Sequence, residues 1–242
     1  MSWKQVLEQL AKLLFPTQCV GCAEWGSHLC VKCFAESLAQ SRYFRFTSEE
    51  GQSYPGVSFG DYRGVLRQTI IAAKHDEVLD FSTWVFAAGE LLGETLLTAP
   101  GFREVPALVV PIPSGKKRVR RRMLVTPTLA RGVVSGLDNF GMETSFEVGL
   151  ALASSETTLL PTLFMPVREL LGTGVSQQGL GAKARSRTKR GSMVASPVVN
   201  GQKVILVDDV LTTGATMREG VRAVAKAGGE VVAVVCLADL QR

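Results

Sequence analysis

The stretch VILVDDVLTTGATM, residues 204–217, limits the folds open to this chain more than any other. Val204 to Val207 is a short, β-branched apolar run of the kind that fills a buried parallel strand, where helices cover both faces and no polar alternation is needed. Two acids follow, then the turn Thr212, Thr213, Gly214 and Ala215. From Thr216 to Ala227 the apolar positions Met217, Val221, Val224 and Ala225 recur at helical spacing, and Gly228 and Gly229 are suited to ending that helix. A second apolar run, Val231 to Leu237, completes a strand, loop, helix, strand order. Such a unit leaves its loop at the carboxyl edge of a parallel sheet, where open α/β folds bind ligands.

The residue types at that edge suggest the ligand. Amide groups at a helix start lack partners within the helix and sit at the positive end of its dipole, so they suit a phosphate, with the hydroxyls of Thr212, Thr213 and Thr216 as further donors. Gly214 allows close backbone approach. Asp208 and Asp209 stand about one sugar-length away and suit vicinal hydroxyls or a bound Mg²⁺. Phosphate at one end and a diol at the other describe a ribose 5-phosphate. A P-loop pattern is absent, as is a dinucleotide fingerprint after a strand. Capping alone explains one Asp or one Thr, but not two acids, three threonines and a glycine in nine residues.

Residues 208–216 resemble the phosphoribosyl pyrophosphate (PRPP) signature of type I phosphoribosyltransferases. The resemblance implies that Asp208 and Asp209 are the catalytic acids holding the ribose hydroxyls, that the loop Thr212, Thr213, Gly214, Ala215 and Thr216 wraps the 5-phosphate, and that Val210 and Leu211 belong to the same PRPP-binding stretch. It also implies a mostly parallel sheet flanked by helices and a mobile loop over the site, with Mg²⁺ accompanying PRPP.

Near the N-terminus Cys19, Cys22, Cys30 and Cys33 form C-x₂-C-x₇-C-x₂-C. Two such knuckles read as one tetrahedral zinc site with a closed, structural shell. A pair of disulfides is the competing arrangement. Glu8 and Lys12 in the leading amphipathic segment argue against a signal peptide, and Cys236 lies alone on an apolar strand, which together suggest a reducing, cytoplasmic setting. His28 is a spare ligand at most.

A four-cysteine module ahead of such a domain resembles the ComF family of bacterial competence proteins. Tyr62, Gly64 and Lys74 match its Y-x-G stretch and following lysine. Pro111, Pro113, Arg118 and Arg120 to Arg122 match its P-x-P turn and basic run, and Gln177, Gly179, Leu180 and Arg185 match its Q-x-G-L stretch and downstream arginine. This chain departs from the family's usual Gly-Phe-Asn-Gln at Met123, Leu124, Val125 and Thr126, and has Thr188 in place of the usual asparagine. The family implies a role in DNA uptake beside a helicase-like partner.

The expected organisation is an N-terminal helix and zinc-knuckle module over 1–46, then a phosphoribosyltransferase-like domain over 55–242, with the polar stretch Thr47 to Pro55 as linker. Residues 2–14 read as an amphipathic helix stopped by Pro16. In the larger domain strands are expected near Val57 to Tyr62, Ala107 to Pro111, Thr158 to Phe164, Val204 to Val207 and Val231 to Leu237. Trp84 to Leu97 is apolar, but it is too short to span a bilayer and carries Glu90 and Glu94, so a core helix is expected and no membrane insertion.

The net charge of +5 is concentrated in 116–122 (KKRVRRR) and 183–190 (KARSRTKR). Ser114, Lys116, Lys117, Arg118, Arg120, Arg121, Arg122 and Arg185 therefore need an anionic partner. One is the departing diphosphate of PRPP, whose developing charge cations stabilise; the other is single-stranded DNA. Two readings of function follow: an enzyme transferring a phosphoribosyl group to a nitrogen acceptor, or a non-catalytic PRPP sensor that binds single-stranded DNA or a competence helicase.

Overall fold

The computed structural model describes residues 17–76, 79–113, 125–152 and 191–240, with side chains undescribed at 151 and 152. Its strands are β1 (Arg42–Thr47), β2 (Ser53–Ser58), β3 (Ala107–Pro111), β4 (Thr144–Phe146), β5 (Leu150–Leu152), β6 (Met193–Ala195), β7 (Lys203–Leu211) and β8 (Glu230–Asp239). Its helices are α1 (Val31–Ser37), α2 (Gly64–His75), α3 (Ser82–Leu97), α4 (Val125–Asp138) and α5 (Ala215–Lys226).

Six strands form one sheet in the order β1-β2-β8-β7-β3-β4, and β5 pairs separately with β6. Every pairing from β2 to β4 is parallel, and β1 is antiparallel to β2. The connection from β3 through α4 to β4 moves outward on one side, while that from β7 through α5 to β8 moves outward on the other. The carboxyl ends of β3 and β7 therefore flank a topological switch point, the place where open α/β sheets bind ligands.

The sheet buries both faces, which is why its central strands read as unbroken apolar runs. On one face Ile205 and Val207 pack with Leu66 and Ile70 of α2, Trp84 and Leu92 of α3, and Leu129 and Val133 of α4. On the other, Val204 and Leu206 pack with Met217, Val221 and Val224 of α5. Each such side chain contributes about 1.5–3 kcal/mol when fully buried. Helices α3 and α4 meet through glycines: a side chain at Gly93 would lie 2.5 Å from the Val133 carbonyl oxygen, and Gly132 faces the Phe86 carbonyl as closely. The Glu90 carboxylate accepts from Ser135 Oγ at 2.8 Å across that contact. Thus Trp84 to Leu97 is a core helix as expected, and no helix among the described residues is long and apolar enough to cross a membrane.

The stretch expected as a linker, Thr47 to Pro55, is instead the bend of a hairpin. Thr47 pairs with Ser53, and Gly51 turns the chain with φ of 83°. Pro55 lacks an N–H, but β2 registers with β8 only at Gly56 and Val57, so the ladder loses nothing there. The strand expected at Val57 to Tyr62 begins and ends earlier, because Gly60 at φ of 100° breaks it. Arg42 of β1 reaches across β2 and forks onto the buried Asp239 at the end of β8, at 2.8 and 3.1 Å, while Ser58 Oγ donates to the same carboxylate at 2.5 Å. The expected helix over 2–14 and strand over Thr158 to Phe164 lie outside the described residues.

Candidate functional site

Strand β7 runs past the four residues expected of it. Its pairing with β3 ends where Val207 faces Pro111, and Ile112 N–H donates to the Val207 oxygen at 2.7 Å. Beyond that point β7 continues only along β8, with Asp208 opposite Cys236 and Leu211 opposite Asp239. The two acids therefore belong to a strand rather than a loop, and they sit where the β3 side of that strand opens into the switch-point crevice.

Alternation along β7 directs the acids differently. Asp209 continues the side of Ile205 and Val207 toward α2, and Asp208 continues the side of Val204 and Leu206 toward α5. Both residues are 9% exposed. Asp208 Oδ1 accepts from the Asp209 amide at 2.8 Å, which fixes one carboxylate against the backbone of the other. Asp209 Oδ1 lies 2.9 Å from Lys74 Nζ, in the last turn of α2. Tyr62 stands nearby. Burial pushes its phenol up, a tendency the Asp209 charge adds to and Arg67 opposes, and the Arg67 guanidinium lies 5.6 Å from the ring centre.

The sequence assigns Lys74 only as the lysine that follows the Y-x-G stretch, with no partner, although a signal for its partner exists. It follows Leu66 and Ile70 at successive steps of four, so it lies on the stripe of α2 that packs against the sheet. A lysine in an apolar stripe needs an acid to face.

The turn from β7 into α5 has the expected hinge, with Gly214 at φ of 72° forming the N-cap of α5. Most side chains avoid that conformation. Thr212 and Thr213 are exposed, Thr216 is half-buried, and Ala215 N–H donates to Thr213 Oγ1 at 3.4 Å. Leu211 is buried among the residues that α5 covers, so only its backbone borders the turn, while Val210 is half-buried. Arg218 is a further residue the sequence reading passed over. Its guanidinium donates to the Thr213 carbonyl at 2.8 Å and sits 5.9 Å from the Phe46 ring centre, bracing the turn from the first part of the helix.

Helix α5 is anchored in turn by Glu219. Its carboxylate accepts from Met193 N–H at 2.9 Å and from Arg222 at 2.7 and 2.8 Å. Burial raises this carboxyl, but Arg222 and the backbone donors outweigh burial and hold it below its ordinary value.

Ser114, Lys116, Lys117, Arg118, Arg120, Arg121, Arg122 and Arg185 lie outside the described residues, as do Gln177, Gly179, Leu180, Met123, Leu124 and Thr188. Pro113, the last described residue before the basic run, follows directly on Ile112 beside Val207. An open hollow of about 530 Å³, bordered by Pro106, Asp138, Glu143 and Gln202, lies at the opposite, amino-terminal edge of the sheet and is remote from this chemistry.

The four cysteines converge. All four Sγ atoms lie within 4.8 Å of one another. The Cys22 to Cys30 separation is 3.7 Å, against the edge of about 3.8 Å for a tetrahedron of thiolates at about 2.3 Å from zinc. Cys30 N–H donates to Cys19 Sγ at 3.3 Å and Cys33 N–H to Cys30 Sγ at 3.4 Å. Burial pushes the Cys19 thiol up, yet donation from the backbone of Cys30, Cys22 and Gly21 prevails and brings it down to about 6. Burial drives Cys33 the other way. All four cysteines are free thiols rather than disulfides, so the donor set fits a soft tetrahedral metal such as zinc. His28 packs edge-on to Phe81, ring centres 5.3 Å apart, and is not in the cluster.

The cluster is fastened to the rest of the molecule. Gln68 of α2, with its amide nitrogen turned inward, donates to the carbonyls of Gly21 and Val20 at 3.0 and 3.3 Å. Trp84 Nε1 donates to the buried Ser37 of α1 at 2.8 Å.

Comparison with known proteins finds phosphoribosyltransferases. The phosphoribosyl transferase domain family matches residues 166–241. A hypoxanthine/guanine phosphoribosyltransferase of Methanococcus vannielii is 26% identical over 153 residues, covering 62% of this chain and 80% of the relative. An orotate phosphoribosyltransferase of Caulobacter vibrioides is 51% identical over 39 residues, 16% of this chain and only 20% of that protein. A solved structure described as the allosteric regulatory enzyme of purine biosynthesis overlays at a TM-score of 0.35 with 20% identity, spanning 62% of this chain and 25% of its own. The chain thus carries a type I phosphoribosyltransferase-like domain, preceded by a four-cysteine cluster.

Proposed function

We propose that this is a ComF-like protein whose sheet edge binds PRPP with Mg²⁺ and transfers its phosphoribosyl group to a nitrogen acceptor, in the setting of DNA uptake. The observation that carries this reading is the succession of Asp208, Asp209 and the Gly214 turn at the switch-point edge. The acids accept from the ribose hydroxyls, while the amides and threonine hydroxyls of 212–216 take the 5-phosphate. With both ends of the sugar held, the anomeric carbon is presented to the acceptor. The nitrogen lone pair forms a bond to that carbon as the carbon–oxygen bond to diphosphate breaks, diphosphate leaves with the electron pair, and the nitrogen sheds its proton to solvent. Mg²⁺ carried in with PRPP would neutralise diphosphate charge, and Asp208 and Asp209 would be the acids to hold it. The basic run that follows Pro113 supplies further positive charge at the leaving group.

Zinc in this account is structural, held by Cys19, Cys22, Cys30 and Cys33. The location we assign is cytoplasmic. Incubation with PRPP, Mg²⁺ and a panel of nucleobases and amines tests transfer: acceptor-dependent release of diphosphate is expected, and tight retention of PRPP with no release under any acceptor contradicts an enzyme.

The second reading, a PRPP sensor that engages single-stranded DNA or a competence helicase, is supported by Trp25, which lies between Cys22 and Cys30 and is 65% exposed. Exposed aromatics are stacking platforms for unpaired bases. On this reading Arg120, Arg121 and Arg122 bind the DNA backbone. Replacing all three with Ala then weakens single-stranded DNA binding and lowers its salt slope by roughly one unit per lost phosphate contact; an unchanged slope removes that stretch from the DNA surface.

A further inference from the structure

The Lys74 to Asp209 contact joins a cation to the acid that the proposed site assigns to the sugar, and the following inference rests on that assignment. Asp208 and Asp209 are adjacent acids, each 9% exposed. Here the chain supplies an ammonium of its own: Lys74 Nζ is 2.9 Å from Asp209 Oδ1, with both side chains 12% exposed. Lys74 also has three N–H donors, of which Asp209 takes one, so a hydroxyl accepting from Lys74 while donating to Asp209 completes an arrangement the acids alone cannot make.

The placement is enforced by the fold. Leu66 and Ile70 lock the stripe of α2 that bears Lys74 against the sheet, and Gln68 ties the same helix to the cysteine cluster. Lys74 is thus held at Asp209 rather than waving on a surface, where an ion pair contributes little.

We infer that Lys74 is a built-in counter-ion for the sugar end of the site, so that a ribose phosphate binds there without a divalent cation and Mg²⁺ is needed only for the diphosphate. The distinguishing probe is ribose 5-phosphate, which has no diphosphate, measured by calorimetry in chelator and in saturating Mg²⁺. Wild-type protein is expected to bind it with affinities that differ less than about threefold between the two conditions. Lys74→Met, close in length but uncharged, should lose about tenfold or more in chelator and recover most of that loss in Mg²⁺. Lys74→Arg keeps the charge and should keep the wild-type indifference to Mg²⁺, which guards against a fold defect peculiar to the Met variant.

Equal losses for Lys74→Met in both conditions would reduce Lys74 to a packing role and overturn the inference. So would unchanged binding in chelator, or a Lys74→Arg protein that requires Mg²⁺. Failure of the wild type to bind ribose 5-phosphate in either condition rejects the sugar site itself, and is thereby distinguished from failure of the lysine role alone.

Discussion

The cysteine cluster and the carboxyl edge of the sheet are built on opposite plans, though α2 touches both. In the cluster four soft donors of one kind converge within 4.8 Å, and backbone amides support the sulfurs. Such a shell leaves no coordination position for a substrate, which is the mark of a structural metal. At the sheet edge the groups are mixed and spread out: two acids that lean to different faces, an ammonium on one of them, and a threonine turn hinged on a left-handed glycine. A closed set of like donors organises a chain around one point, whereas an open strip of unlike donors and acceptors fits an asymmetric molecule with two chemically different ends.

Cys33→Ser breaks the first plan most severely. The cluster then offers three thiolates, and metal affinity, followed by cobalt absorption and competition with a chelator, is expected to fall by about a thousandfold or more. Folding of the sheet should survive. If α2 instead transmits the loss strongly, with Gln68 detached from Gly21 and Val20, PRPP binding falls with it and the two regions are one mechanical unit.

A smaller effect is expected at the turn. Gly214→Ala puts a Cβ at φ of 72° and 3.1 Å from the Phe46 ring. Chemical denaturation should show a loss of about 1–2 kcal/mol. Binding of a ribose phosphate should weaken in parallel, while metal binding at the cysteines stays unchanged.

The mildest test uses pH. The Glu219 carboxyl lies below its ordinary value of 4.5 in the folded chain, so the stability it lends is complete above that value and is lost as pH falls through its lowered value. Acid should therefore loosen the tie between α5 and β6 first. Glu219→Gln is expected to flatten the stability profile below pH 4.5, as seen by thermal melting, and an unaltered profile would remove Glu219 as the anchor of α5.

How much of this was legible beforehand follows the range of the interactions involved. Continuous apolar runs at 204–207 and 231–237 mark buried parallel strands because covering helices remove any need for alternation. The cysteine spacing likewise speaks for itself, since two knuckles brought together leave few other arrangements. Extension of β7 to Leu211 was not visible, because it depends on β8 running equally far to Asp239. The β1 to β2 ribbon was hidden for a related reason: its bend is polar and contains glycine, like a linker, and Pro55 disguises a strand whose inner pairing, with β8, stops beside it. The partner of Lys74 required knowing which stripe of α2 is buried, and Arg218 required the path of the turn it braces.

The central claim is that Asp208 and Asp209 hold the sugar of PRPP, and calorimetric titration of PRPP with Mg²⁺ addresses it most directly. Asp208→Asn combined with Asp209→Asn should abolish heat of binding while the thermal melt still reports a folded sheet. A doubly substituted protein that binds PRPP with wild-type affinity would contradict the account.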